Sequence, residues 1–329
     1  MIKRQAIIGL IFSSVFIYLA FRNVEWGLVW QVLHEIDSLY ILPFILCGIL
    51  VQIIRNFRWA YILEPVERIE WWPLFAITSV GFMAICILPA RLGEFVRPYL
   101  ISRARPIRMS SAMATVVLER VMDGMALVLI LVPFVFIVPM PRWVAPLGIF
   151  AAILFFASFG ILLMLALYRT WALERIQWLL KWIPSRLSVK IMNLLNSFVD
   201  GLDVLPSARK AIGLLAYTIL LWFLYAVMAW ILFFSFRFPL GFREALILEI
   251  IVGLALMIPA APAFVGNFHI GSVVALSLFD IAKAPAISYA LLLHVLTVSV
   301  IMGLGLIFLL VSPVPMVFRV KDVVKAARS

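Results

Sequence analysis

The chain has 329 residues, 66% of them hydrophobic and 13% charged, with a mean hydropathy of +1.16 and a formal net charge of +11. A soluble domain is about half apolar and about a quarter charged. One globular core cannot hide this excess, and several runs reach the roughly 20 apolar residues that a bilayer core demands. Spanning backbone must satisfy its own hydrogen bonds, as helices or as a closed barrel. The runs do not alternate as barrel strands do, so the fold class read here is all-α integral membrane. The basic residues are scattered between the runs, which fits cytoplasmic loops facing anionic lipid and argues against nucleic acid as a partner. Cys47 and Cys86 lie within apolar runs and read as packing residues.

Residues 5–21 form the first expected span, preceded by Lys3 and Arg4, which places the N-terminus in the cytoplasm. No small-residue cleavage site follows, so the segment reads as an uncleaved span and not a signal peptide. Residues 22–38 carry Glu25, Trp26, Trp30, Glu35 and Asp37 and read as interfacial on the outer side. The second span covers about 39–61 and ends with Gln52, Arg55 and Arg58 on one helical face.

Residues 72–102 pose a conflict. A simple crossing would leave Arg91, Arg97, Arg103, Arg105 and Arg108 outside, against the positive-inside rule. A hairpin that enters from the cytoplasm, breaks near Pro89 and returns removes the conflict; such a hairpin needs burial in protein or a cavity to line. Residues 111–138 then cross outward, Pro139 to Trp143 make an outer turn, and 145–168 return. Residues 169–210 are the longest polar stretch, with Leu187, Ile191, Leu194, Phe198 and Leu202 on one face, and read as a cytoplasmic amphipathic segment with Trp belts at 171–182. Residues 211–236 cross outward. The run 243–282, broken by Pro259, Pro262 and Gly266, reads as a second hairpin, entered from outside. Residues 286–311 cross inward, leaving Arg319, Lys321, Lys325 and Arg328 in the cytoplasm.

The expected architecture is a single domain over 1–329, with about six transmembrane helices and two re-entrant helical hairpins in an inverted repeat. The breaks correspond: Leu88-Pro89-Ala90 leads to Gly93-Glu94-Phe95, and Ile258-Pro259-Ala260 leads to Gly266-Asn267-Phe268. Paired interruptions in two halves point to a transporter whose site lies at the breaks.

Charged residues inside a bilayer are expensive and usually functional. The candidates are Arg91, Gly93, Glu94 and Arg97 at the first break, Glu119, Arg120 and Asp123 on the third span, Arg55 and Arg58 on the second, and Asn267 and His269 at the second break. Arginine forks and the exposed N–H groups of a broken helix suit a phosphate, and glycine lets backbone approach a head group. The acids would orient the arginines or receive a cationic substituent. Structural ion pairs are the alternative for Arg97 with Glu94 or for Arg120 with an acid, second to the functional reading of Arg91, Glu94 and Arg97, whereas Arg55 and Arg58 read first as snorkelling to the cytoplasmic interface. His34 and His294 read as ordinary polar residues, and Arg103, Arg105 and Arg108 as lipid-surface anchors. No P-loop, Gly-x-Ser-x-Gly elbow, His-Glu-x-x-His or Cys-x-x-Cys motif is present, so neither a metal nor a cofactor is expected, nor catalysis.

The run LPARLGEFVRPYL over 88–100, followed by SAMATVVLERVMDG over 111–124, resembles the flippase-like membrane domain of the lysylphosphatidylglycerol synthase family. The later IPAAPAFVGNF over 258–268 is similar to that family's second break, which is glycine-rich; Pro262-Ala263-Phe264 departs from it where two glycines are expected after the proline. The resemblance implies translocation or binding of an anionic phospholipid, or of a lipid-linked phosphate intermediate, across the cytoplasmic membrane. It places the motif on Arg91, Gly93, Glu94, Arg97, Glu119, Arg120 and Asp123. In the synthases a separate soluble domain performs aminoacyl transfer, so the resemblance implies that this membrane domain is not expected to make lysyl-lipid by itself. A membrane transferase using a polyprenyl-phosphate lipid, with Glu25, Glu35 and Asp37 as its acids, and a non-catalytic partner of a separate lipid-modifying enzyme stay open, as does a homo-oligomer.

Overall fold

A computed structural model describes residues 14–22, 24–137, 144–258 and 261–311, with the side chains of 89–91 and 135–137 left out. The start of the first expected span, the outer turn at 139–143, Pro259 and the basic tail at 319–328 lie outside these residues, as does the Arg91 side chain.

The fold is all-α. In chain order the helices are α1 (14–21), α2 (Trp26–His34), α3 (Ile41–Leu63), α4 (Trp71–Ile87), α5 (Val96–Ala104), α6 (Met109–Ile137), α7 (Val144–Leu167), α8 (Arg169–Leu179), α9 (Ser185–Asp200), α10 (Ala208–Ser235), α11 (Phe242–Leu256), α12 (Asn267–Ser277) and α13 (Lys283–Val311). Among the described residues, four segments are long and apolar enough to cross a membrane: Ser38–Leu63, Val144–Leu167, Ala208–Ser235 and Lys283–Val311. At about 1.5 Å per residue such helices run roughly 35–43 Å, more than the ~30 Å hydrocarbon core. The helix α6 is equally long, 29 residues, and carries Glu119, Arg120 and Asp123 in its first half. The protein is therefore a multi-pass membrane protein.

Both stretches that carry internal prolines fold as a helix, a tight 3-10 turn and a short helix. In the first, α4 ends at Leu88, whose extended backbone breaks the helical path, and a 3-10 turn over Pro89–Phe95 leads into α5. In the second, α11 is followed by a 3-10 turn over Pro262–Phe264 and then α12. The returning helices have 9 and 11 residues; at ~1.5 Å each, neither covers a ~30 Å core. Gly93 is required by packing: a Cβ there would run into the backbone of Ala84 and Ile85. Gly266 is required by conformation, with φ 93° at the start of α12.

The helices α3 to α6 and α10 to α13 repeat one order: long helix, hairpin arm, turn, short return, long helix. Their packing repeats too. Exchanging each helix of one set for its counterpart turns the α4–α13 pairing into α11–α6, and α3–α13 into α10–α6; all four are present. The two units run in opposite directions. At one end Asp37 N–H donates to the Ser235 carbonyl at 2.9 Å, and at the other Lys210 Nζ donates to Glu64 Oε2 at 3.2 Å, so α3 and α10 lie antiparallel. The relation between the units is an inverted repeat.

The end that holds Glu64 and Lys210 also gathers the polar segment. Arg108 donates to Ser197 Oγ at 2.7 Å, and Arg169 pairs with Asp200 at 2.6 Å, docking α9 against the start of α6 and the start of α8. Arg108 thus holds a helix in place, a role beyond the lipid anchor expected of it. Phe198 and Leu202 pack into the core beneath, while Leu187, Leu194 and Trp182 stay exposed, as they would for a segment lying on lipid. Residues 22–38 are not simply surface: Val29 is buried, and its carbonyl accepts from Ser288 Oγ of α13 at 3.2 Å.

Candidate functional site

Three buried charges meet between α3, α5 and α6. Arg97 Nη2 donates to Glu119 Oε2 at 2.6 Å, and each residue is 1% exposed. Arg58 Nε stands 3.5 Å from the other Glu119 oxygen, an ion-pair distance without hydrogen-bond geometry. The Arg58 guanidinium then donates to both carboxylate oxygens of Asp123, and Arg120 Nη2 pairs with Asp123 Oδ2 at 3.2 Å. The chain reads Arg97–Glu119–Arg58–Asp123–Arg120. Glu119 and Asp123 face one way because they are four residues apart on α6. Helix spacing likewise brings Arg58 beneath them from α3. The snorkelling expected for Arg58 does not occur: at 2% exposure its head points inward, where two carboxylates compensate the charge.

Arg97 is held on its other faces by aromatic rings, with its Cζ 4.8 Å from the Phe82 centroid and 5.0 Å from that of Trp59. Cation–π attraction partly offsets the loss of water around a guanidinium. Trp59 is fixed in turn by its indole N–H donating to Thr115 Oγ1 at 3.0 Å. Arg97 Nε and Nη1 and Arg120 Nε are buried without a hydrogen-bond acceptor, and such donors are costly to leave unmet. Three guanidinium groups against two carboxylates leave the chain with one positive charge in excess.

The last links of this ion-pair chain, Asp123 and Arg120, line a cavity of about 470 Å³ between the two repeats, within the ~300–1,000 Å³ usual for ligand sites. Arg120, Asp123 and Glu94 reach it from the first unit, beside the first break. Arg55 reaches it from α3, donating to Tyr225 Oη at 3.0 Å and to Gln52 at 3.2 Å, with Phe82 4.3 Å beneath its guanidinium. Its head therefore faces the cavity and not the interface. The second break contributes Ala263 and Phe264, and most of the remaining wall is apolar, including Leu127, Phe155, Trp222 and Val298. Two arginines and three carboxylates, Arg55 and Arg120 with Glu94, Asp123 and Glu249, thus share a cavity whose other walls are apolar, a polar pole beside an apolar one.

The outer residues are arranged otherwise than expected. Asn267 is fully buried and ties off the end of α11, its amide donating to the carbonyls of Ala255 and Ile258 at 3.0 Å each. His269 is 4% exposed and accepts the Gly266 N–H at 3.3 Å on Nδ1. Both close the second break and neither lines the cavity: Asn267 meets carbonyls left open at the C-terminal end of α11, and His269 meets an N–H left open at the start of α12. The histidine that does reach the cavity is His294, whose Nε2 donates to the Ala263 carbonyl at 2.8 Å. Glu249 and Tyr225 are further polar wall residues that the sequence reading passed over; a lone acid amid the apolar run of α11 was the visible signal for Glu249.

The membrane-region model of lysylphosphatidylglycerol synthase matches residues 6–305. The chain belongs to this family. A UPF0104 membrane protein of Methanothermobacter thermautotrophicus is 23% identical over 259 residues, covering 73% of this chain and 75% of that protein. For this family member, the match spans both hairpins and every residue of the ion-pair chain. It places the protein in a family tied to membrane-lipid metabolism. Ala263 and Phe264 occupy the positions where a glycine pair was expected, and both have left-handed backbone, φ 53° and 58°. The turn of the second break is thus kept without the residues that adopt it most cheaply.

Proposed function

We propose that this protein binds an anionic phospholipid, or a lipid-linked phosphate, by its head group in the cavity between the repeats and moves it between leaflets. The observation that carries the reading is the site itself: Arg55 and Arg120, beside Glu94, Asp123 and Glu249, line an otherwise apolar cavity bounded by both breaks of an inverted repeat. A phosphate would take the Arg120 and Arg55 donors, and acyl chains would lie along the apolar wall. Rocking of one unit against the other would expose the head group to each side in turn. In this reading the hairpins re-enter without crossing, and the basic end with α8 and α9 faces the cytoplasm. The chain acts as a carrier and makes or breaks no covalent bond.

Retained lipid tests the binding step. Native mass spectrometry of protein exchanged into equal phosphatidylglycerol and phosphatidylcholine should show phosphatidylglycerol adducts in preference, reduced at least severalfold by Arg120→Gln. Equal retention of both lipids, unchanged by that substitution, would contradict it.

A further inference from the structure

The cavity has a second polar feature, remote in sequence from the arginines. Glu249 lies in the middle of α11, a turn from Gly253 on the same face, and its carboxyl opens onto the cavity. Among the described residues it has neither a hydrogen bond nor an ion pair. That separates it from Glu119 and Asp123, each compensated by arginine. A carboxylate alone in an apolar, membrane-embedded wall is held by a partner or by a proton.

The groups around it leave the proton as the simplest partner. From α6, Arg120 and Asp123 face the same cavity but are paired with each other at 3.2 Å, and Asp123 also with Arg58. From α3 and α10, Arg55 and Tyr225 are bonded together at 3.0 Å. From α13, the Tyr289 hydroxyl donates to the Ala229 carbonyl at 2.8 Å and His294 to Ala263 at 2.8 Å. From α12, His269 is turned to the Gly266 N–H. Each of these groups has a polar partner of its own; Glu94 and the Cys86 thiol line the same cavity, Glu94 with an interaction of its own, while Glu249 has no partner among the described residues.

We infer that Glu249 is a proton-binding site whose occupancy is linked to an anionic head group at the arginine pole of the same cavity. The coupling rests on the lipid reading above; the proton site itself does not. An anion entering beside Arg55 and Arg120 adds negative charge to a low-dielectric cavity that Glu249 shares, which favours uptake of a proton there. Release of the head group favours its loss. By linkage, protonation of Glu249 must favour the anion in the same measure. Carrier cycles gain direction from such reciprocity when the two sides differ in pH.

Difference infrared spectroscopy on the full chain in nanodiscs reads this directly. In phosphatidylcholine nanodiscs, acidification should raise a protonated-carboxyl C=O band that Glu249→Gln lacks. Phosphatidylglycerol should move the midpoint to higher pH in the wild type, and Arg55→Ala should abolish that movement. The variant controls for surface potential, which would shift both proteins alike. Monodispersity on size exclusion and an unchanged amide band certify the fold of each variant. A titrating band that survives in Glu249→Gln, or none in the wild type, overturns the proton site. A midpoint shift equal in wild type and Arg55→Ala overturns its linkage to the head group. Failure of lipid translocation is read in a separate assay and leaves the band in place.

Discussion

Arg97 of α5 and Glu119 of α6 meet at 2.6 Å with about 1% of either residue exposed. The pair locks the return arm of the first hairpin onto the next long helix. It lies behind the cavity wall, which makes it a structural support for Arg58, Asp123 and Arg120, in contrast to the residues that open onto the cavity.

Breaking a buried pair strands the surviving charge, at a cost of about 3–5 kcal/mol. Arg97→Ala should therefore lower stability by that order in denaturant or SDS unfolding of the detergent-solubilised protein. Replacing both partners by apolar residues of similar volume, Arg97→Met with Glu119→Leu, should recover most of the loss. An Arg97→Ala protein as stable as wild type would remove the pair from its supporting role.

The second break offers a gain. Ala263 has φ 53°, a conformation that costs a non-glycine residue about 1–2 kcal/mol. Ala263→Gly relieves this and returns part of it as added freedom of the unfolded chain. The net should be about 0.5–1 kcal/mol of stabilisation, seen as a raised Tm by differential scanning fluorimetry. Gly266→Ala, at φ 93°, should move Tm the other way.

At the basic end, outside the spans, the Lys210 ammonium hydrogen-bonded to Glu64 holds that carboxyl below the ordinary carboxylate range, with Arg68 adding to it. A depressed carboxyl stabilises the fold above its unfolded value, about 4.3 for Glu, and ceases to do so as pH falls through the lower folded value. The Tm difference between wild type and Lys210→Met should be steady above about pH 5 and shrink towards zero on further acidification. A difference that grows as pH falls would give the contact the wrong sign.

Topology follows from the antiparallel packing of α3 on α10. In a background lacking Cys47 and Cys86, single cysteines at the exposed positions Pro106 and Pro206 should react with an impermeant thiol reagent from the cytoplasmic side only. Cysteines at Pro239 and Ala282, exposed at the opposite end, should react from the outer side only. Labelling of Pro106 and Pro239 positions from one side would break the inverted arrangement.

Much of the frame was legible in the chain. The prolines at 89 and 262 and the misplaced basic residues after 90 locate both interruptions, because proline ends helices and arginine marks sidedness. The pairing of charges was not legible: Arg58 and Asp123 are 65 positions apart, and only the packing of α3 on α6 makes them neighbours. The same holds for Arg55 and Tyr225, 170 apart. Asn267 was read as lining a pathway because intramembrane polarity suggests function; its amide instead satisfies two carbonyls that the broken helix leaves open. Glu249 and His294 were visible as single polar letters in apolar runs, yet which face they occupy depends on how α11 and α13 rotate in the bundle.

The central claim, that the inter-repeat cavity carries an anionic lipid head group, is tested most directly by lipid movement in proteoliposomes. Fluorescent phosphatidylglycerol and a phosphatidylcholine control would be followed by loss of the inner-leaflet signal for wild type and Arg55→Ala. Arg55 is the suitable probe because it faces the cavity and, among the described residues, pairs with no carboxylate, so its removal breaks no ion pair there. The account predicts faster movement of phosphatidylglycerol than of the control in wild type, and loss of that advantage in the variant with its fold intact. Movement of both lipids at the protein-free rate, or an advantage that survives Arg55→Ala, would contradict it.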